Sequence, residues 1–367
     1  MELKANRAPT CLDDCAKKFF EDSVLPFDIS QRIKYCLVES RFLTESGSVK
    51  YLINLQYRSL ANHFFLGTRM SLQILELHRD IVRISGDDNR AFLQGQVTCD
   101  VDKITNTKAI RGALCNIKGR VIADFIALQH GDDIILQCGN GMGKTLHATL
   151  TKYAIFSKVS IALDTSMLAI GLISETGMEL NNFRDSINLP GELLIEGDAT
   201  FTENLVAIRI RGVLAREQIW LLDRSIPSEI AKNLIHDQTD WSRQDVLCGI
   251  AHINESISEQ HTPQALNYDL SHVVDFKKGC YTGQEVVARM HYRGTPKKRI
   301  FLLSSKAMTG SKLLSSDGSE HKIIAKSFNE SGGCFLAVLP ITSEQNHTVF
   351  RLDDEYKSEA VIGNLSY

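Results

Sequence analysis

No Cys-x-x-Cys pair occurs among the nine cysteines of this chain, and no apolar run reaches the length of a membrane span. The thiols stand scattered and odd in number, as Cys11, Cys15, Cys36, Cys99, Cys115, Cys138, Cys248, Cys280 and Cys334. That pattern excludes a disulfide framework and favours a reducing compartment. Cys11 and Cys15 are spaced to share one helix face, but no second pair offers the two further ligands of a zinc site, so no metal is expected. The missing apolar run excludes a helical membrane anchor, and no membrane partner is expected. A surplus of charge is missing too: 41 basic against 44 acidic side chains leave −3. There is thus no global electrostatic case for nucleic-acid binding. Asp13, Asp14, Glu21 and Asp22 sit among the early apolar residues, unlike a secretory signal or an acid-poor transit peptide. The expected location is the cytoplasm. At 367 residues the chain exceeds one ordinary core, and two or three domains are expected.

What is present is a dense octapeptide, Lys278-Gly279-Cys280-Tyr281-Thr282-Gly283-Gln284-Glu285. Thr282 followed three residues later by Glu285 has capping-box spacing, which predicts a helix running on through Val286, Val287, Ala288, Arg289 and Met290. Cys280 then lies just ahead of a helix N-terminus, where N–H groups and the positive end of the dipole converge, with Lys277 and Lys278 upstream. Such surroundings favour thiolate and make Cys280 a candidate reactive cysteine. The competing reading is a small residue packing a helix start. Gly279 and Gly283 suit a tight turn that lets backbone approach a ligand.

This run, continued by Val286-Val287-Ala288-Arg289, resembles the signature of the YgfZ family, folate-binding relatives of the glycine-cleavage T-protein. Other stretches are similar to the family as well: Phe92-Leu93-Gln94-Gly95-Gln96-Val97-Thr98 with Asp100-Val101, Lys152-Tyr153 with Phe156-Ser157-Lys158-Val159, and Pro263-Gln264 with Asn267. The resemblance covers roughly residues 72–305 well and the tail weakly. It implies an α+β, T-protein-like body with antiparallel sheets and helices, followed by a small C-terminal β-barrel. Residues 1–69 would be an N-terminal extension of unknown role, 70–295 the aminomethyltransferase-like folate-binding region, and 296–367 the barrel. It also implies tetrahydrofolate as ligand in a central groove with Cys280 at its edge. The implied role is support of iron–sulfur cluster assembly or repair and, through cluster enzymes, of tRNA modification. Partners would be folate and iron–sulfur assembly or client proteins.

Periodicity alone predicts a strand at Ile81–Ile84, a turn at Ser85–Asp88 into a helix with Phe92 and Leu93, a hairpin of Ile110–Cys115 and Val121–Leu128, and a strand at Ile134–Cys138. The glycine run Gly139–Thr145 has three residues between Gly139 and Gly143, where a phosphate loop needs four, and reads as a strand-to-helix connection. The helix after it packs through Leu146, Leu150 and Tyr153. Strands are read at Ile208–Gly212 and Ile219–Leu222, and a helix at Ser228–Ile235. The tail carries short strands at Arg299–Leu303, Lys322–Ala325, Cys334–Leu339 and Thr348–Leu352.

Tetrahydrofolate asks for apolar or aromatic walls around a flat ring and cationic or N–H donors for its carboxylates. By resemblance Trp241 is a wall, against the competing reading of a core tryptophan. Gln264 and Asn267 are a second wall. Lys278, Gly279, Tyr281, Gly283, Gln284 and Glu285 contribute from the signature. Arg289, with Arg293 four residues on, meets a carboxylate or lies on a solvated helix face. Two departures bear on activity. Where T-proteins carry two adjacent acids this chain has Ala123 and then Asp124, leaving Asp124 as the heir to an acid–base role. Folate-dependent aminomethyl transfer is therefore the alternative function. Arg79 stands where some members place a tryptophan. The basic run from Arg289 to Lys298, with His291 and Tyr292, reads as a solvated helix end, with direct tRNA contact as the alternative.

Overall fold

Aliphatic and β-branched stretches separated by polar turns pair into three sheets in the computed structural model, which describes residues 72–367 apart from Pro190, Ser331, Asn346, His347 and Ser366. Expectations for residues 1–69, including Cys11, Cys15 and Cys36, fall outside the described residues. In chain order the first elements are β1 (Gln73–Leu77), β2 (Arg79–Ser85), α1 (Asn89–Gln94), β3 (Ile110–Cys115), β4 (Val121–His130), β5 (Asp133–Gly139), α2 (Met142–Tyr153) and β6 (Ser160–Leu163). There follow β7 (Leu168–Ser174), α3 (Gly177–Ser186), β8 (Ala199–Phe201), β9 (Leu205–Ile210), β10 (Ala215–Leu221), α4 (Ser228–Ala231), β11 (Leu234–Ile235), α5 (Thr239–Leu247) and α6 (Gln284–Arg293). The barrel strands are β12 (Lys298–Ser305), β13 (Lys312–Ser315), β14 (Glu320–Asn329), β15 (Gly332–Pro340), β16 (Phe350–Leu352) and β17 (Glu359–Gly363).

One sheet has the order β11-β1-β7-β10-β9-β8 and a second β3-β4-β5-β2-β6, while β12-β15-β14-β13-β16-β17 close into a barrel. Among the described residues only the β1–β11 pair is parallel. The first two sheets share one core: Leu75, Leu77, Ala169, Ile173, Val206 and Ile208 from one meet Ile81, Ile126, Leu128 and Ile135 from the other, with Trp220 and Trp241 between them. The Trp241 ring presses on the sheet so closely that a Cβ on Gly171 would come within 2.5 Å of it, so residue 171 has no room for a side chain. A second core, on the other face of the β3–β4–β5 sheet, takes in α2, Val287 of α6 and Ile300 and Leu336 of the barrel.

The barrel is tied to the body by polar joints. Arg299 donates to both carboxylate oxygens of Asp269, at 2.9 and 2.8 Å, and to the Gln264 carbonyl and Asn267 Oδ1 at 3.1 Å. Asn267, left-handed at φ +57°, donates to the Ile300 carbonyl and to the Tyr367 hydroxyl.

The glycine run ends as a connection: Gly141 precedes α2 at φ +83°, and Asp80 accepts from the Gly143 N–H at 2.8 Å. A carboxylate of the chain itself fills the helix start that a phosphate-binding loop leaves open. Two expected details differ. Tyr153 is 39% exposed while Leu146 and Leu150 are fully buried. The helix expected over Ser228–Ile235 stops at Ala231, and Leu234 and Ile235 pair instead with the β1 edge.

Candidate functional site

β3 begins with Ile110 and Arg111, which help wall a cavity of about 240 Å³ together with β4, β9 and the segment from Asp245 to His272. Its apolar walls include Ile126, Ile208 and Ile250, and its polar ones Arg111, Asp245 and His252. Lys108 also faces it but is engaged, donating to Asp198 and to the Glu196 carbonyl. The Arg111 side chain is half-buried, makes no hydrogen bond or ion pair with a described residue, and acts on Asp124 only at longer range. A guanidinium at an apolar wall with no direct hydrogen-bonded partner is free to donate to a ligand.

Behind the wall stands a charged relay. His252 Nδ1 meets Asp124 Oδ2 at 2.9 Å, and its Nε2 lies 3.4 Å from Asp245 Oδ2. Asp124 spends its other oxygen on the Ile253 N–H at 2.7 Å. Asp245 receives Arg216 at 2.7 Å and has Arg79 at 3.8 Å. Arg216 is fully buried and stacks over Trp241 at 4.6 Å. Burial alone would raise the Asp245 carboxyl, but Arg216, His252 and Arg79 hold it far below the usual carboxylate range. Burial likewise pushes Asp124 up, and the His252 contact and the Ile253 N–H outweigh it, so that its carboxyl lies below its ordinary value. For His252, burial lowers and Asp124 raises, and the carboxylate wins. Asp124 is therefore an occupied, ionised acceptor, which leaves it ill-suited to deliver or collect a proton.

The His252 shift has a sign that can be tested. A raised imidazole contributes stability that is fully present below its unfolded value of about 6.5 and is lost as pH climbs through the folded value. Wild-type urea stability should fall as pH rises above about 6.5 by the part that His252→Gln removes, and the His252→Gln profile should be flatter there. Equal slopes in the two proteins would refute the assignment.

The signature octapeptide lies elsewhere. α6 starts at Gln284, after Gly283 at φ +84°, so the capping box expected from Thr282 and Glu285 does not form. Thr282 turns its hydroxyl to Gln96 at 3.1 Å, and the Gln284 side chain accepts the Tyr281 N–H at 3.3 Å. Left-handed backbone at Gly283 removes the extended geometry that a side-chain cap needs. Lys278 is buried and donates to the carbonyls of Gln94 and Val97, both at 2.6 Å; burial lowers its ammonium below the ordinary lysine value. Tyr281 is buried beneath it, with the ammonium 5.0 Å from the ring and burial raising the phenol. Gly283 packs against the β3–β4 turn at Asn116. On this anchored loop Gly279 and Cys280 face solvent, and Cys280 is the one exposed cysteine among the described residues. Cys99, Cys115, Cys138, Cys248 and Cys334 are buried, and burial pushes the Cys99 and Cys115 thiols up to about 12.

The loop touches the Cys115 end of β3, whereas the cavity opens at Ile110 and Arg111. At ~3.3 Å per residue these ends stand roughly 16 Å apart. Cys280 is not among the cavity's lining residues. Trp241 is 1% exposed in the sandwich core, its ring N–H without a partner. Gln264 donates to the Val287 carbonyl and, with Asn267, joins body to barrel. Arg289 and Glu285 are exposed on α6. The structure thus gathers the signature residues around the thiol and not around the cavity. His252 and Arg111 were missed at sequence level. Arg111 had a signal, a lone charge entering an otherwise apolar strand; His252 had none. Among the described residues no cluster of His, Cys, Asp and Glu suits a metal, and no helix is long and apolar enough to cross a membrane.

The chain is 30% identical over 288 residues to the tRNA-modifying protein YgfZ of Photobacterium profundum, covering 75% of this chain and 85% of that one. It is 28% identical over 289 residues to the protein of the same name from Aliivibrio fischeri, covering 75% and 86%. Among solved structures, the glycine cleavage system aminomethyltransferase T from Bartonella henselae aligns with a TM-score of 0.67 at 15% identity over 80% of this chain and 85% of that one, a likeness of fold. No family model matches the chain.

Proposed function

The chain belongs to the YgfZ family, and from that premise we propose that it is a tetrahydrofolate-binding protein that supports iron–sulfur cluster assembly or repair and, through cluster enzymes, tRNA modification. The observation that carries this reading is a division of labour along β3. An apolar cavity walled by the guanidinium of Arg111, which has no direct hydrogen-bond partner, opens at one end, and an exposed thiol on an anchored loop stands at the other. At about 240 Å³ the cavity falls below the ~300–1,000 Å³ of sites that enclose a whole drug-sized ligand. It suits a flat bicyclic ring or the adjoining aromatic group, with the glutamate tail outside. The isoleucine walls would hold the ring and Arg111 a carboxylate or ring carbonyl. Cys280 faces outward, where a soft thiolate serves as a transient ligand to iron–sulfur species held jointly with a partner protein. One cysteine cannot hold a stable cluster alone. The aminomethyl-transfer alternative needs a free acid–base carboxylate, and both oxygens of Asp124 are taken.

Calorimetric titration of the full chain with tetrahydrofolate tests this. Wild type and Cys280→Ala should bind alike, while Arg111→Ala should weaken binding about tenfold or more, the loss of one charge-assisted hydrogen bond. Wild type that takes up no tetrahydrofolate, or an Arg111→Ala protein that binds as well as wild type, would overturn the cavity assignment. Cys280→Ala with undiminished cluster-enzyme activity in cells would overturn the thiol's role.

A further inference from the structure

Between Phe276 and Lys298 the chain carries one acid, Glu285, against five exposed cations, Lys277, Arg289, Arg293, Lys297 and Lys298. The side chains of the five make no ion pair or hydrogen bond with a described residue, although the Lys277 backbone N–H donates to Asp275 at 2.8 Å. On a protein with net charge −3 this is a local concentration of one sign, on and beside a single helix. Aromatic rings stand among the charges. Phe276, in the loop that leads to Cys280, stacks flat on His291 of α6 with centroids 3.6 Å apart and an interplanar angle of 11°. Tyr292 closes on this pair edge-on, 4.8 Å from His291 and 6.3 Å from Phe276, and stays 68% exposed.

The Phe276–His291 stack by itself would serve to fasten the loop to the helix. The Tyr292 hydroxyl shares in that role, reaching the Phe276 carbonyl at 3.5 Å, and so fixes in place a ring that stays largely exposed beside five cations with no side-chain ion pair. Positive charge that tracks a phosphate backbone, combined with exposed aromatic faces on which bases stack, is how single-stranded nucleic acid is held. Arginine adds bidentate contacts to phosphate. An acidic protein partner would use the charges but not the open ring. We propose that the outer face of α6 and the Phe276–Lys277 loop form an RNA-docking surface, Tyr292 stacking a base exposed in a loop or single strand and Arg289, Arg293 and the neighbouring lysines holding its phosphates. The docked RNA would lie along the helix whose start carries the Cys280 loop. This goes beyond the reading above, in which RNA is reached only through cluster enzymes.

Fluorescence anisotropy of the full chain with a fluorescein-labelled, unmodified tRNA transcript across a salt series tests it. Wild type should bind, with log K falling by about 0.7–0.9 per decade of salt for each phosphate contacted. Arg289→Ala combined with Arg293→Ala should reduce that slope by about 1.5. Tyr292→Ala should weaken binding about tenfold with the slope unchanged, since it removes stacking and no charge. These side chains are exposed, and matched thermal unfolding confirms that the variants fold. No binding at low salt, or variants indistinguishable from wild type, would overturn the proposal. So would a polyglutamate peptide that displaces the transcript as well as unlabelled tRNA does while Tyr292→Ala has no effect, which would make the face an acidic-protein surface. Tetrahydrofolate titrated into the same samples keeps the two readings apart, because either can fail while the other stands.

Discussion

Asp245→Asn should cost this protein about 3–5 kcal/mol of stability, because it strands buried positive charge. Asp245 is the anion on which Arg216, Arg79 and His252 converge, at 2.7, 3.8 and 3.4 Å. Arg216 has no exposed surface and, beyond Asp245, is left with the carbonyls of Arg211 and Trp241 and the Trp241 ring. Carbonyl dipoles do not neutralise a guanidinium, and its desolvation remains. The substitution keeps volume but turns one acceptor oxygen into a donor NH2, so a large loss reports lost charge and lost acceptance and not packing. Urea unfolding at neutral pH measures it. Arg216→Met added to Asp245→Asn should recover part of the loss, since it removes the orphaned charge. The pH dependence has a definite sign. A depressed carboxyl contributes stability that is present above its unfolded value of about 3.9 and is lost as pH falls through the folded one. The gap between wild type and Asp245→Asn should therefore narrow in acid. A loss below about 1 kcal/mol at neutral pH would mean that solvent screens the network as it screens surface pairs.

How much of this was open to a reading of the chain follows from the range of each interaction. Hairpin β3–β4 and strand β5 were legible because their apolar runs end at Gly119 and at Asp132-Asp133, and turn chemistry is local. β13 and β17 were not: four and five residues long, they are strands only because the barrel closes through them. The signature octapeptide marked the anchored loop, and Cys280 on it, but the helix start was misplaced. A capping box and a left-handed glycine both end a turn, and contact with Asn116, distant in sequence, decides between them. Gln264 and Asn267 were read as a pocket wall by resemblance alone, and the partners they have in the structure, Val287, Ile300 and Tyr367, are in other elements that no local pattern points to. His252 became a site residue through Asp124, 128 positions away. No periodicity encodes that distance.

Gly283→Ala should do the most damage to the thiol loop while leaving the cavity alone. Residue 283 sits at φ +84°, and a Cβ there would come within 2.3 Å of the Asn116 carbonyl oxygen and 3.3 Å of the Cys115 side chain. The oxygen belongs to the backbone of a hairpin turn that also holds Gly119 at φ +66°, so nothing flexible can swing aside. Left-handed strain of ~1–3 kcal/mol adds to overpacking of similar size, and about 2–4 kcal/mol is expected after partial relaxation. Relief comes by lifting the loop, which pulls Lys278 from the Gln94 and Val97 carbonyls and uncovers the β3 end at Cys115. Alkylation under native conditions, read peptide by peptide, distinguishes this local opening from general loosening. Cys115, 1% exposed in the parent, should become reactive in Gly283→Ala, while Cys334 in the barrel, 2% exposed, should stay protected. Tetrahydrofolate affinity should hold, because the cavity opens at the far end of β3. Cys115 and Cys334 reacting together would make Gly283 a residue of global stability. Cys115 as protected as in wild type would mean that the hairpin turn, and not the signature loop, is the part that yields.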